Sequence, residues 1–435
     1  MTVRMLLIPL WLILASCSSA DDRTTIVVQR FFGECEAVFG NSTNVAAADT
    51  ECGILTTLIN KFEAENPDIR LKMNVVAWPG YPQLSAQIAA GDPPDLVTMH
   101  QSVISDYQAR GLLAPMDAVL AESGVNADDF TPAGLRGVKK DGRLYALPWD
   151  TIGRLWHINT GLMQKAGLMS NGRPVLPRSP AELLDHARRF KAATGLPYLV
   201  QAQVSAPDYL VANLYTYLLA QDVKIFPDDR HIRLNTPQAR QVVELYRTLN
   251  GEGLTARGQD FPAATASFVN GKGGIFPTGT WMIGAYDDAG QTKGQALNKN
   301  YAVLPFPRLW GRDAAFVDGH AWVVPKGERS AAERAAIARF LGFMARNSAD
   351  WVRTGHLPAF RAIIDTPAFK AQRHRSDIAA MAATGEQLPD YVQRQSAIQG
   401  LIGEELEAAF TGTKPVEKAL ADAERRVNEL LAQMP

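Results

Sequence analysis

The chain has 435 residues, with 44 lysines and arginines against 45 aspartates and glutamates, for a formal net charge of −1. That balance lacks the basic excess a broad nucleic-acid surface needs, so no nucleic-acid partner is expected. A composition of 46% hydrophobic and 20% charged residues excludes bulk disorder, and the length suggests two or three domains.

The chain opens with a basic Arg4, a short apolar stretch from Met5 to Leu14, and the small residues Ala15-Ser16 before Cys17. Residues 1–16 read as an export signal, too short for a comfortable membrane span. Beyond it, no apolar run reaches the roughly 20 residues a bilayer crossing requires. Leu14-Ala15-Ser16-Cys17 resembles a bacterial lipobox, in which the cysteine is acylated and becomes the new N-terminus. The resemblance implies an exported protein on the periplasmic or cell-surface side, lipid-anchored at Cys17 while the rest folds in water.

Cys35 and Cys52 fall in the exported part, where disulfides persist. Pairing them closes a loop of about 17 residues, worth about 3 kcal/mol in the chain-entropy model. A metal pair is the rival reading, but no neighbouring CxxC or histidine cluster completes such a site, so a disulfide is favoured.

Thr25 to Gln29 reads as a short buried strand. Ile54, Leu55, Leu58, Ile59 and Phe62 then recur at helical spacing, with Asp49 and Thr50 available as caps. Residues 69–76 alternate as a strand, Leu84 and Ile88 mark a short helix ended by Gly91-Asp-Pro-Pro94, and 95–99 is the next strand. Strand and helix alternate over about eighty residues, the pattern of a parallel sheet covered by helices. Further on, helices are predicted over 179–193 and 237–250. An apolar stripe at Ile337, Phe340, Leu341 and Met344 marks a third, and Val416 to Leu431 form a final amphipathic helix. No repeat or low-complexity linker separates domains, so the fold must be interwoven.

Catalytic signatures are missing: there is no GxSxG elbow, HExxH, Walker A loop or CxxC. Gly251-Glu-Gly-Leu-Thr-Ala256 matches a dinucleotide fingerprint only formally, because it follows a helix rather than a strand. Seven scattered histidines show no metal-ligand spacing, so neither cofactor nor metal is expected. What remains is aromatic and amide chemistry, which suits sugars: their C–H faces need flat rings, and their hydroxyls need groups that donate and accept. Trp78, Tyr81, Trp149, Trp156, Trp281, Trp310 and Trp322 all lie near Gly, Pro or His, and two or three of them are expected to touch a ligand.

Several segments, in order, resemble the family 1 solute-binding proteins of bacterial ABC importers, which include the maltose-binding protein. They are Trp78-x-x-Tyr81 through Gly91-Asp-Pro-Pro-Asp-Leu-Val-Thr-Met-His100 to Met116, Asp141-Gly-Arg-Leu-Tyr-Ala-Leu-Pro-Trp-Asp150, and Asn159-Thr-Gly-Leu162. Phe268 to Trp281, Val303-Leu-Pro-Phe-Pro307, Asp318-Gly-His-Ala-Trp-Val-Val-Pro-Lys326 and Gly355-His-Leu-Pro358 complete the series. The resemblance implies an α/β periplasmic-binding-protein fold of two lobes joined by hinge strands, with the ligand in the interlobe cleft. Transferred here, the crossings fall near Trp149, Val303 and Asn347. One lobe is then 22–149 plus 305–346 and the other 150–304 plus 347–435.

The resemblance also implies a ligand set. Glu34 matches a position where relatives place an acid against sugar hydroxyls, although a solvated loop carboxylate reads as well. His100, Gln101 and Ser102 follow the strand ending at Met99, where relatives place polar contacts; the Asp-Arg pair of the maltose binder is absent there. Asp150 either grips paired hydroxyls or caps a turn. Gln201, Gln203 and Tyr209 lie where the second lobe faces the cleft, Gln201 and Gln203 sharing one face if the segment is a strand. Trp281 aligns with the stacking aromatic of the Gly-x-Trp motif. Gly319 and His320 sit where a Gly-rich loop nears the ligand, with Trp322 packed beneath.

The expected function is non-catalytic: a monomeric, lipid-anchored receptor that captures a sugar or oligosaccharide and delivers it to an ABC permease. One alternative keeps the transport role with a polyol phosphate, met by Arg154, Arg353 or Arg361. Another is an exported carbohydrate-active enzyme using Glu34 and Asp150, which would need separations of about 5 Å or about 6.5–9.5 Å.

Overall fold

In the computed structural model, the described residues are 22–378, 381 and 384–434; the export signal and Cys17 lie outside them. Two sheets organise the chain. The first has the order Ile69–Val75, Thr24–Arg30, Leu96–His100, His320–Val323 and Leu147–Pro148. Its first three strands are parallel, and His320–Val323 runs antiparallel with His320 directly opposite His100. Helix Glu51–Glu65 starts where Thr50 Oγ1 accepts the Gly53 N–H at 3.2 Å, the capping role its sequence position suggests. Its apolar face packs on helix Ala331–Arg346, with Phe62 edge-on to Phe340, and both helices cover the first sheet's core.

The second sheet is built on Asp150–Asn159, a ten-residue strand buried along its whole length. Ile275–Gly279, Tyr301–Leu304, Ala315–Asp318 and Leu357–Pro358 all pair with it. Its core joins Trp156 and Ile158 to helices Pro180–Thr194, Pro207–Leu219, Pro237–Gly251, Gln395–Thr411 and Val416–Ala432. Ser179 and Thr236 cap the first and third of these ahead of a first-turn proline. No helix among the described residues is long and apolar enough to cross a membrane.

The chain passes from the first sheet to the second at Trp149, between Leu147–Pro148 and Asp150–Asn159. It returns at Gly319, not near Val303. Residues 305–318 stay with the second sheet because Phe306, Leu309 and Phe316 are buried in its core and Val317 pairs with Gly153. The last passage is spread over several residues: Trp351 and Phe360 pack in the first core, while Leu357–Pro358 pairs with Thr151 and Asp150. Gly319 fits its crossing because a Cβ there would lie 2.3 Å from the Asp150 carbonyl oxygen. Cys35 and Cys52 form a disulfide, tying the loop after the first strand to the first turn of helix Glu51–Glu65.

Candidate functional site

The parallel strands of the first sheet end at a cavity of about 530 Å³ that both lobes line. The carboxyl ends of parallel strands are where open α/β sheets place ligands. Here they present Phe31 and His100, whose rings stack 5.2 Å apart and 7° from parallel. Phe32 stands edge-on to His320 and Trp351. Trp78, 59% exposed, flanks His100 edge-on at the mouth.

The His100 backbone N–H donates to the Tyr81 hydroxyl at 2.9 Å, and that hydroxyl lies 2.6 Å from His100 Nδ1. Burial and the nearby charge of His320 hold His100 well below the usual histidine range. Burial thus favours the neutral ring, hydrogen-bonded through Nδ1 to the Tyr81 hydroxyl.

Beneath the cavity lies a buried polar chain. Asp150 is fully buried; its Oδ1 accepts the His320 backbone N–H at 2.8 Å, and its Oδ2 accepts from His320 Nδ1 at 2.9 Å and Trp351 Nε1 at 2.7 Å. Burial alone would raise its pKa, but the charges of His320 and His356 and these hydrogen bonds outweigh it, holding the carboxyl well below the carboxylate range. His320 shifts the other way: burial opposes its charge, yet Asp150 raises its pKa above the ordinary value. His356 Nε2 lies 2.8 Å from Glu51 Oε1, and its Nδ1 lies 3.1 Å from Thr280 Oγ1. Asp150, His320 and His356 bring potential metal-ligand atoms within 4.8 Å of one another. Their contacts are those of a hydrogen-bonded chain, however, because both Asp150 oxygens already accept from N–H donors.

The second lobe supplies the opposite wall. Along Asp150–Asn159, Asp150, Ile152 and Arg154 share one face, and Ile152 and Arg154 line the cavity. The Arg154 guanidinium lies 3.9 Å from the Tyr209 ring centre and 4.8 Å from that of Trp281. Its Nη2 donates to Asp208 Oδ2 at 2.7 Å, and its buried Nη1 has no acceptor. The Gly-x-Trp motif has a steric basis: a Cβ at Gly279 would stand 2.0 Å from the Trp281 ring. Asp318 accepts from Ser102 N–H at 3.0 Å, Ser102 Oγ at 2.6 Å and Gly319 N–H at 2.8 Å, and burial pushes its carboxyl up.

Of the residues singled out in the sequence, His100, Ser102, Tyr209, Trp281 and His320 line this cavity. Asp150 lies under it, and Gly319 forms the crossing beside it. Gln101 is buried between the lobes, with Nε2 donating to Asp150 O at 3.1 Å and Oε1 accepting from Gln387 Nε2 at 2.8 Å. Glu34 is exposed on the disulfide-bonded loop, outside the cavity lining. Gln201 and Gln203 also lie outside it. The segment that carries them forms β-bridges at Leu199, to Thr255 and Ile275, and Gln203 Nε2 turns to Asn250 Oδ1 at 3.0 Å in a separate groove. Of the seven aromatic candidates, Trp78, Tyr81 and Trp281 reach the cavity, Trp149, Trp156 and Trp322 are core, and Trp310 packs partly buried against Tyr217.

Phe31, Phe32, Glu51, Asp208 and Phe261 also line the cavity and carry no signal for it in the sequence, whereas Arg154, a candidate for an anionic ligand, lines it too. The signal for Arg154 was present, two alternations along the strand from Asp150. Glu51 directly follows the expected cap Thr50. Of the other arginines considered for an anion, Arg353 donates to Ala48 O and Val45 O, and Arg361 to Phe130 O. Neither lines the cavity.

A two-lobed α/β chain with a cleft at its strand crossings is the architecture of a solute receptor. Residues 50–351 match the bacterial extracellular solute-binding protein family, and the chain belongs to it. A binding protein of Brucella abortus is 28% identical over 253 residues, and the match spans only 57% of this chain and 57% of that relative. The sn-glycerol-3-phosphate-binding periplasmic protein UgpB of Escherichia coli is 24% identical over 402 residues, covering 86% of this chain and 88% of the relative. The fold matches the GacH receptor of Streptomyces glaucescens, solved unliganded and with acarbose, at a TM-score of 0.76 and 17% identity over 95% of this chain and all of that one. It matches maltose-bound MalE3 of T. maritima at 0.77 and 18% over 94% of this chain and all of that one.

Proposed function

We propose that this protein is the extracytoplasmic receptor of an ABC importer, capturing a sugar or oligosaccharide in the aromatic cavity and handing it to the permease. On this reading it is exported as a monomer and held at the membrane by a lipid on Cys17. The observation that carries the proposal is the state of Arg154. It is the only lysine or arginine among the described residues lining the cavity, and Asp208 already neutralises it. A phosphate would need an uncommitted cation there, whereas a neutral sugar needs ring faces and hydroxyl partners. Trp281, Tyr209, Phe261 and Trp78 supply the faces; His100, Ser102, His320 and Glu51 supply the partners. Relatives named for acarbose and maltose agree with a sugar, while UgpB, named for glycerol 3-phosphate, marks the alternative.

The reading is non-catalytic. Asp150 is sealed beneath the cavity with both oxygens hydrogen-bonded, and Glu34 is outside it, so these two carboxylates cannot flank one glycosidic bond. Trp281→Ala tests the site: sugar affinity measured by calorimetry should fall at least about fivefold, the low end for a buried aromatic contact, with little change in melting temperature. Unchanged affinity would remove the stacking role.

A further inference from the structure

A second interlobe cavity, of about 600 Å³, adjoins the first across the Ser102–Asp318 hydrogen bonds. One wall is the hairpin around Lys139–Lys140 and Arg143–Leu144 in the first lobe; the other is the 387–392 segment of the second. The lobes touch beside it through Gln387 Nε2 to Gln101 Oε1 at 2.8 Å and Ser105 Oγ to Asp390 O at 2.7 Å.

Two polar groups in this cavity lack partners. Lys140 is 7% exposed, and among the described residues its ammonium makes no hydrogen bond or ion pair. Gln395 is 6% exposed, and its Oε1 has no donor. Leaving the buried Gln395 Oε1 unpaired is costly, and the Lys140 ammonium in the same lining is a solvent-accessible donor with no protein partner among the described residues. A hydroxyl can both accept from Lys140 and donate to Gln395 Oε1, whereas an anion without O–H groups, such as sulfate, can only accept. The charges agree: Arg136, Lys139 and Lys140 are balanced by Asp141, Asp318 and Asp390 in the same lining, so the cavity favours no net charge in its occupant. Leu388 and Val392 offer apolar surface for a C–H face.

We propose that this cavity is a second solute site, taking a small neutral polyol or a single sugar ring between Lys140 and Gln395. It shares Ser102, Phe316, Asp318 and Gln395 with the aromatic cavity, whereas Lys140 lines this one alone, and it does not rest on the assignment of the first cavity's ligand.

The test uses the chain from Ser18 onward, with Trp281→Ala to weaken the first site, and glycerol and D-glucose as probes. Melting temperature is followed against probe concentration in Trp281→Ala alone and combined with Lys140→Met. Sugars stabilise proteins nonspecifically, so the readout is the difference between the two variants. The expected result is a saturable shift in Trp281→Ala that Lys140→Met abolishes, leaving the affinity of the first site unchanged when Lys140→Met is made alone. Leu388→Trp, which fills the cavity from the other lobe, should abolish the same shift and covers the case in which Lys140→Met fails to fold. A saturable shift that survives a folded variant of either kind, or none in Trp281→Ala, overturns the proposal. Tight sugar binding by the wild type with no second event would overturn this site and leave the first standing.

Discussion

Asp150 braces the cavity from beneath it. Its carboxylate is wholly buried and tied to the His320 ring and backbone and the Trp351 indole, so it fixes the floor of the cavity. Asp150→Asn removes the charge that His320 faces. Breaking a buried pair this way should cost about 3–5 kcal/mol of stability, read by denaturant unfolding. His157 gives a pH signature. It is buried between Tyr301 Oη and the Gly279 carbonyl, and burial pushes its pKa down to about 3. A histidine lowered in the fold is protonated first in the unfolded chain, so stability falls as pH drops below about 6.5 and continues to fall toward pH 3. His100, also lowered, adds to this loss, while the raised pKa of His320 acts only above that window. The melting temperature of His157→Gln should therefore decline less steeply than that of the wild type between pH 6.5 and 5. Parallel slopes would show that His157 does not titrate as its burial demands. At this scale the sequence was informative where a motif constrained geometry: Gly279-x-Trp281 can be read because the ring needs the space a Cβ would fill. It was uninformative at Glu34 and Gln203, because polarity marks a residue for solvent or for a partner without saying which surface it faces.

The elements were more legible than the residues. Helix Glu51–Glu65, helix Val416–Ala432 and strands Thr24–Arg30 and Leu96–His100 lie where their periodicity and caps put them. Asp150–Asn159 carries no strand signal in the sequence, because a strand buried on both faces loses the alternation that identifies one and reads only as a mixed, mostly apolar run. The resemblance puts the second crossing near Val303, whereas the contacts that hold residues 305–318 to the second sheet are long-range and leave no local signal. The Cys35–Cys52 bond joins the loop that leaves the first strand to the turn that carries Glu51, so it fixes one edge of the cavity. Unfolding the oxidised, exported chain should expose no reactive thiol. Reducing it should cost about 3 kcal/mol and weaken ligand binding through Glu51. Two free thiols in the oxidised protein would contradict the pairing.

For the whole molecule, the crossings matter more than either lobe. The chain passes between sheets at Trp149, at Gly319 and again over residues 347–360, so neither lobe is a continuous segment and relative motion is restricted to bending at those strands. A ligand closes such a molecule only to the extent that it contacts both lobes better in the closed form. Phe31, His100 and Trp78 on one side and Arg154, Tyr209 and Trp281 on the other are placed to make those contacts. The occupant proposed for this cleft is a neutral sugar. Calorimetric titration of the chain from Ser18 onward with mono- and oligosaccharides, and with sn-glycerol 3-phosphate, separates it from an anion. Saturable binding of a neutral sugar that changes little between low and high salt is expected, with glycerol 3-phosphate inert. Saturable binding of glycerol 3-phosphate that weakens as salt rises, with every neutral sugar inert, would contradict it.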